Sequence, residues 1–465
     1  MPSPEEKTTT SSAIDQDLLK TTEKEAEFNV IDFPDAPKVV LAQGEVVGLS
    51  IVTANGKILD AYFGVPYAEK PVRFARAKEI RAWTGVRTAF VARDPCPRRN
   101  PGIVIESCLY LNVLKPRGSE SLPLLVWFLG DGMNGEEDSL RMNFSALAAT
   151  ENIVVITVSF RVGVFGFLNA SLDDIQGDIG IHDQRLALEF INENVEAFGG
   201  RRDKITIGGF GFSGSIAGMH LLDETASHLF QRIVLLSGTP FMLNRKTFRN
   251  PLHEFLRVVR CDALDPVETV ECIRMKHTSE LHSGLNFGPN SGGGTNLPGY
   301  TSGNAKIRGQ QILLGSYAYS GWKDDTDIRE FVSSRDPDSD RLVMLKEAVE
   351  LCFDSPMASV ENRNIFRAYA PSAPNNLQGK NFGPEILRLI GEMRQDLLHR
   401  CASYFWARNS GLANEIFVFE IEFSEKPRSE LKFLLDPSND IDRSRKSSDL
   451  SRDVRQQLVS FIRGG

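Results

Sequence analysis

Ile205-Thr-Ile-Gly-Gly-Phe-Gly-Phe-Ser-Gly-Ser-Ile-Ala-Gly-Met-His-Leu-Leu222 joins a β-branched run, a glycine-dense turn and an apolar run of helical character. β-Branched residues favour strands, and glycine permits backbone angles that other residues resist. The order predicts a strand that turns sharply into a helix, with one residue raised above the sheet at the turn. In such a nucleophile elbow the raised residue carries the reactive side chain. Here it is Gly211, which has no side chain to raise.

Outward from this turn the same alternation repeats. Val39 to Val47, Leu49 to Thr53 and Lys57 to Phe63 read as short strands, with a hairpin signal at Asn55-Gly56. Leu122 to Leu129 and Asn152 to Phe160 are nearly continuous apolar runs, as expected of strands buried on both faces. Asp183 to Phe198 has helical spacing and meets a stop at Gly199-Gly200. Lys204 to Ile207 reads as a strand, Ser215 to Leu222 as a helix, and Ile233 to Ser237 as a strand. Alternating strands and helices predict an α/β fold with a central, mostly parallel sheet flanked by helices. Sites in such sheets form at the carboxyl ends of strands, where Gly211 falls.

Beyond Gly238 the pattern thins. Gly284 to Gly303 reads as a long loop, Ile312 to Gly315 as a strand, and Arg341 to Phe353 and Ile386 to Trp406 as helices. Glu415 to Phe423 alternates as a strand, and the charged stretch Asp436 to Arg452 reads as mobile. At the other end, residues 1–37 are polar and read as a disordered leader, leaving 38–465 as the folded domain.

The composition limits the function classes. The 465 residues are 41% hydrophobic and 25% charged, ordinary for a globular protein. A net charge of −8 gives no basic footprint for nucleic acid. No apolar run is long enough for a transmembrane segment, and no secretory signal is apparent. Of the six cysteines, Cys96 with Cys108 and Cys261 with Cys272 close short loops, while Cys352 and Cys401 stand apart. Spacing alone suits either local disulfides or reduced, buried thiols. Asn143 and Asn169 head glycosylation sequons at a frequency near chance.

Several boxes together resemble the carboxylesterase type B, or cholinesterase-like, family of α/β-hydrolases. They are Phe63-Gly-Val-Pro-Tyr-Ala68, Glu106-Ser-Cys-Leu-Tyr-Leu-Asn-Val113, Arg161-Val-Gly-Val-Phe-Gly-Phe-Leu168 and Gly177-Asp-Ile-Gly-Ile-His-Asp-Gln184. Phe198-Gly-Gly200 adds another. The resemblance is strong from about Val39 to Gly238 and weaker beyond. It implies disulfides between Cys96 and Cys108 and between Cys261 and Cys272. It also implies ion pairs of Arg73 with Glu106 and of Arg161 with Asp183.

The family hydrolyses esters with a serine nucleophile, a histidine base and a glutamate that orients the histidine, assisted by a glycine-rich oxyanion hole. A serine hydroxyl is a weak nucleophile until a base takes its proton, and the oxyanion needs fixed N–H donors. Aligned on the family, the nucleophile position is Gly211, the acid position Ser320 and the base position Pro427. The oxyanion segment reads Leu129-Gly130-Asp131-Gly132, and a carboxylate at Asp131 would repel an oxyanion. The further donor position, after Gly211, is Phe212, to which no role is assigned. Ser213 replaces the closing glycine of the elbow, which puts the tightness of the turn in question.

The rival reading is a divergent serine esterase with a shifted nucleophile, Ser213. It competes with Ser213 and Ser215 serving as helix caps. It also needs a base. None of the seven histidines has a catalytic setting in the sequence, and His182 and His220 read as structural. No metal-binding spacing occurs, so neither metal nor other cofactor is expected. The cholinesterase tryptophan of the first disulfide loop is absent from Pro97 to Ser107. The resemblance to non-catalytic members, neuroligins and neurotactin-like adhesion proteins, implies a protein partner and an extracellular or cell-surface place. A homodimer stays open.

Overall fold

The computed structural model describes residues 35–98, 105–130, 144–172, 175–240, 252–262, 265–281, 287–288, 309–318, 343, 346–347, 350, 364, 367, 389–390, 392–393, 396, 400–410, 415–422, 435 and 445–464. Contacts divide the chain into Met1–Ala36 and Pro37–Gly465, and the described strands and helices all belong to the second unit. The leader lies outside the described residues, apart from its last few positions.

The run from Val39 to Val47, which reads as one strand, folds back on itself as two, because Gly44 permits the turn at φ +149°. β1 (Lys38–Leu41) and β2 (Gly44–Val47) form a hairpin that β5 (Val86–Thr88) extends into a three-stranded sheet. β3 (Leu49–Val52) pairs antiparallel with β4 (Ile58–Pro66). Gly56, at φ +78°, makes the turn between them, as Asn55-Gly56 predicts.

From β4 onward the chain builds the main sheet. β6 (Tyr110–Pro116), β7 (Leu122–Leu129) and β8 (Val154–Ser159) form its middle, with α1 (Phe144–Glu151) before β8. After β8 come α2 (Gly163–Phe167), the small pair β9 (Asn169–Leu172) and β10 (Ile175–Gln176), and α3 (Ile179–Asn194). β11 (Gly200–Phe210), α4 (Phe212–Met219) and β12 (Arg232–Leu236) follow, then α5 (Leu252–Val258) and α6 (Pro266–Met275). The last described elements are β13 (Gln311–Ala318), α7 (Cys401–Ser410), β14 (Ile416–Glu422) and α8 (Arg445–Arg463).

Among the described residues the main sheet has the order β14-β13-β12-β11-β7-β8-β6-β4-β3. The pairs from β8 to β14 are parallel, and those from β8 to β3 are antiparallel. Parallel strands are joined by crossovers, which place helices on both faces. Successive residues of β7 therefore enter different cores. Val126 and Phe128 lie in the core with residues of α3 and α4, such as Ile191 and Ile216. Leu125 and Trp127 lie in the other, with Phe144 and Leu147 of α1 and Leu458 and Ile462 of α8. Both faces of β7 are dry, and this explains its unbroken apolar run.

Two further expectations change. The predicted Ser215–Leu222 helix begins three residues earlier, at Phe212, because Gly211 alone completes the turn. The stretch expected to be mobile, Asp436 to Arg452, is helical from Arg445 onward. Its charge misled because α8 is amphipathic: Leu458, Val459 and Ile462 are buried, while Arg452 and Asp449 face solvent. None of the described helices is long and apolar enough to cross a membrane.

Buried polar groups tie the crossovers together. Arg161, after β8, grips Asp183 of α3 with two bonds of 2.7 Å, and its third arm reaches Ala75 O at 2.7 Å. Both side chains are almost fully enclosed. Arg73 bonds Glu106 through Nε at 3.0 Å to each carboxylate oxygen. Its Nη1 also reaches the Arg274 carbonyl at 2.9 Å, at the end of α6. Cys96–Cys108 and Cys261–Cys272 are both bonded. Cys401 is a free, exposed thiol, and Cys352 lies outside the described residues. Asn169 is buried, so its sequon cannot accept a glycan in the folded chain, and Asn143 is outside the described residues. His220, at the end of α4, bonds Gln184 of α3 at 3.0 Å through Nε2.

Unfolding measurements can weigh these groups. Asp183→Asn leaves the Arg161 charge buried without a counter-charge, and denaturant unfolding should show a loss of about 3–5 kcal/mol. Glu106→Gln, at a pair more open to solvent, should cost clearly less. Burial holds the rings of His220 and His182 near a pKa of about 4, below the usual 6.5. Between those values the unfolded chain binds protons that the folded chain does not. Stability should therefore fall as pH drops from about 6.5 toward 4. His220→Gln should flatten that slope in unfolding midpoints measured at pH 7 and pH 4.5.

Candidate functional site

The elbow forms where β11 ends at the carboxyl edge of the sheet. Gly211 adopts φ +58° and ψ −120°, an arrangement that L side chains resist. Its N–H donates to Leu236 O of β12 at 2.8 Å. Its carbonyl accepts the Ser215 N–H at 3.0 Å and the Ser215 hydroxyl at 3.1 Å. The turn is thus bonded at both ends of one residue.

Close backbone approaches explain the surrounding glycines. A Cβ on Gly238 would lie 1.9 Å from Gly211 O. A Cβ on Gly214 would lie 2.7 Å from Gly209 O. The substitution of Ser213 for the closing glycine does not open the turn. Gly214 supplies the close contact, and the Ser213 hydroxyl folds back on the strand end.

Ser213 is buried. Its hydroxyl donates to Phe210 O at 3.1 Å and accepts from the Phe210 N–H at 3.2 Å. Its backbone N–H donates to Gly130 O at 3.1 Å, bringing the end of β7 against the elbow. Gly130 is therefore beside the turn, with its carbonyl engaged by the start of the helix. Phe212 is buried edge-on against Phe167, with ring centres 5.4 Å apart. Ser215, like Ser213, serves the local backbone.

None of the described histidines bonds this hydroxyl. Nε2 of His220 is taken by Gln184. His182 belongs to α3, with its ring shifted by burial toward the neutral form. His228, His253 and His277 are exposed. Asp131, Ser320 and Pro427 lie outside the described residues, as do His282 and His399. Ser320 follows the end of β13 by two positions in the chain.

Nothing in the sequence pattern singled out the stretch after β12. Ser237 has φ +50°, rare for a residue other than glycine, and its N–H donates to Gly315 O of β13 at 2.7 Å. Gly238 then passes under the elbow. Thr239 is buried with its hydroxyl unpartnered. The signal was Ser237-Gly-Thr-Pro240 after an apolar strand, which read only as a strand end.

Residues 35–303 match the model of the carboxylesterase family. Acetylcholinesterase of Danio rerio is 34% identical over 274 residues, covering 53% of this chain and 43% of that protein. Acetylcholinesterase of Gallus gallus is 33% identical over 294 residues, covering 57% of this chain and 38% of that protein. A pyrethroid hydrolase of Mus musculus is 29% identical over 263 residues, covering 51% of this chain and 47% of that protein. The matched part thus spans less than half the length of each relative. The elbow and the main-sheet strands from β3 to β12 lie within the matched region, which is more than half of the chain, and the chain belongs to the carboxylesterase family.

Proposed function

We propose that this chain is a carboxylesterase-family protein that has lost ester hydrolysis and acts by binding a protein partner, as adhesion-type members do. The observation that carries the reading is Gly211: the elbow keeps its shape and has no nucleophile to present. Ser320 and Pro427, which stand at the acid and base positions, and Asp131 in the oxyanion segment support it from the sequence. The two disulfides fit an oxidising compartment, and the secreted or cell-surface location belongs to the same proposal. A homodimer is compatible with it.

The second reading, a divergent serine esterase using Ser213, draws on relatives that are named as esterases. Two features oppose it. The Ser213 hydroxyl is committed to the Phe210 backbone, and no described histidine bonds it. A nucleophile without a neighbouring base stays a weak one.

Purified protein should not turn over short-chain nitrophenyl esters, and a fluorophosphonate should not label it. Stoichiometric labelling at Ser213 would overturn the proposal. Gly211→Ser should restore no turnover, because the aligned acid and base positions hold Ser320 and Pro427. The same variant should lose about 1–3 kcal/mol of stability, because serine must take a positive φ there. For the binding half of the reading, a partner captured from native tissue should rebind the purified chain as a purified protein. Esterase turnover with no rebinding would favour the enzyme.

A further inference from the structure

The two disulfides are not equally enclosed. Cys96, Cys108 and Cys261 are fully buried, whereas Cys272 is half-buried against the edge of the core. A thiolate opens a disulfide by attacking one of its sulfurs, so access decides which bond exchanges. Of the four bonded cysteines, Cys272 is the one that solvent reaches.

The bond it makes holds a strained turn. At the end of α5 the Val259 N–H donates to Phe255 O at 2.9 Å, and the Cys261 N–H reaches back to Leu256 O at 2.8 Å. Arg260 stands between them at φ +57°. Helices often end this way, and the left-handed position then falls to glycine, which lacks the Cβ that makes it costly. Here an arginine takes it, and the next residue is tied across to α6 through Cys272. The start of α6 has its own fastening, since the Asp265 carboxylate accepts the Val267 and Glu268 N–H groups at 2.9 and 3.0 Å. The end of α5 is therefore the part that leans on the sulfur bond.

Opening that bond does not require the core to open. Cys261 is enclosed, and a reduced cysteine packs as a small apolar side chain. Its thiol can wait in place, ready to close again.

We propose that Cys261–Cys272 is a reversible redox switch, opened in the folded chain by a small dithiol while Cys96–Cys108 stays closed, and that opening releases the turn at the end of α5. One thiolate of the dithiol bonds the Cys272 sulfur as the Cys261–Cys272 bond breaks, and Cys261 leaves as a thiolate and takes a proton. The second thiolate of the dithiol then attacks the first sulfur, and Cys272 leaves and is protonated. The protein gains two thiols, and the dithiol departs as its own disulfide. No residue of the elbow takes part, so the switch stands whether or not the elbow hydrolyses esters.

The test uses dithiothreitol on the full, folded chain. Samples are stopped with acid, unfolded, alkylated with N-ethylmaleimide and mapped by mass spectrometry. Cys401, already a free thiol, marks complete alkylation. Cys261 and Cys272 should become reactive at least about tenfold faster than Cys96 and Cys108. Hydrogen exchange on the reduced chain should then quicken about tenfold or more at the Val259 and Cys261 amides, with β7 still protected, and oxidised dithiothreitol should reverse it. Cys272→Ser should show the same fast amides without reductant. Equal rates for the two disulfides would overturn the proposal, as would reduction that needs denaturant. Unchanged exchange at Val259 and Cys261 would also overturn it. So would loss of protection in β7 on reduction, since the bond would then be a support of the whole fold.

Discussion

The structure depends on one tight passage of backbone, where β11 turns into α4 through Gly211. Everything near the carboxyl edge is arranged to let that turn pass. Gly238 of the next crossover lies against the Gly211 carbonyl, with no room for a methyl group. The Leu236 carbonyl holds the Gly211 N–H, so the turn is fastened to β12. A helix launched at this angle covers β11 and β12 at once, which places Ile216 and Ala217 in the core beside Phe128. The same geometry serves a reactive residue in an esterase, but packing alone is enough to keep it. The fold at this position is held by backbone contacts, and that is a separate matter from any chemistry there.

The remaining hydroxyls of the elbow have joined that frame. Ser213 bonds the N–H and carbonyl of Phe210 at the strand end, and Ser215 adds a second bond to the Gly211 carbonyl. Buried polar groups are stable when they are bonded, and a hydroxyl bonded twice to backbone is not free to react. Ser237, held at a positive φ, adds strain of the kind found around functional sites. Its N–H bond to Gly315 keeps the ends of β12 and β13 together and offers a structural reason for that strain.

Much of this was legible in the residues. The unbroken apolar runs of β7 and β8, the Asn55-Gly56 turn and the glycine-rich elbow pointed to a parallel sheet and its edge. Two things were not legible, for physical reasons. The start of α4 could not be read because Phe212, Ser213 and Gly214 have poor or neutral helix propensity, and the turn's geometry overrides it. The helix α8 was hidden because its charges dominate the composition, while its few apolar residues sit on one stripe that matters only once there is a sheet to receive it. At the elbow the glycine at the apex, Gly211, was plain, whereas the roles of Gly238 and Ser237 depend on contacts between distant segments that no local pattern carries.

Arg73 has a consequence beyond its pairing with Glu106. Glu106 lies two positions before Cys108, and the Arg274 carbonyl lies two after Cys272. One guanidinium thus fastens the ends of both disulfide-closed loops, on segments some 170 residues apart in the chain. The two covalent clasps are knotted by a single cation into one mechanical unit. Loosening either clasp strips Arg73 of partners that the other relies on, so these loops should yield together under load or chaotrope, as one cooperative block with a shared threshold.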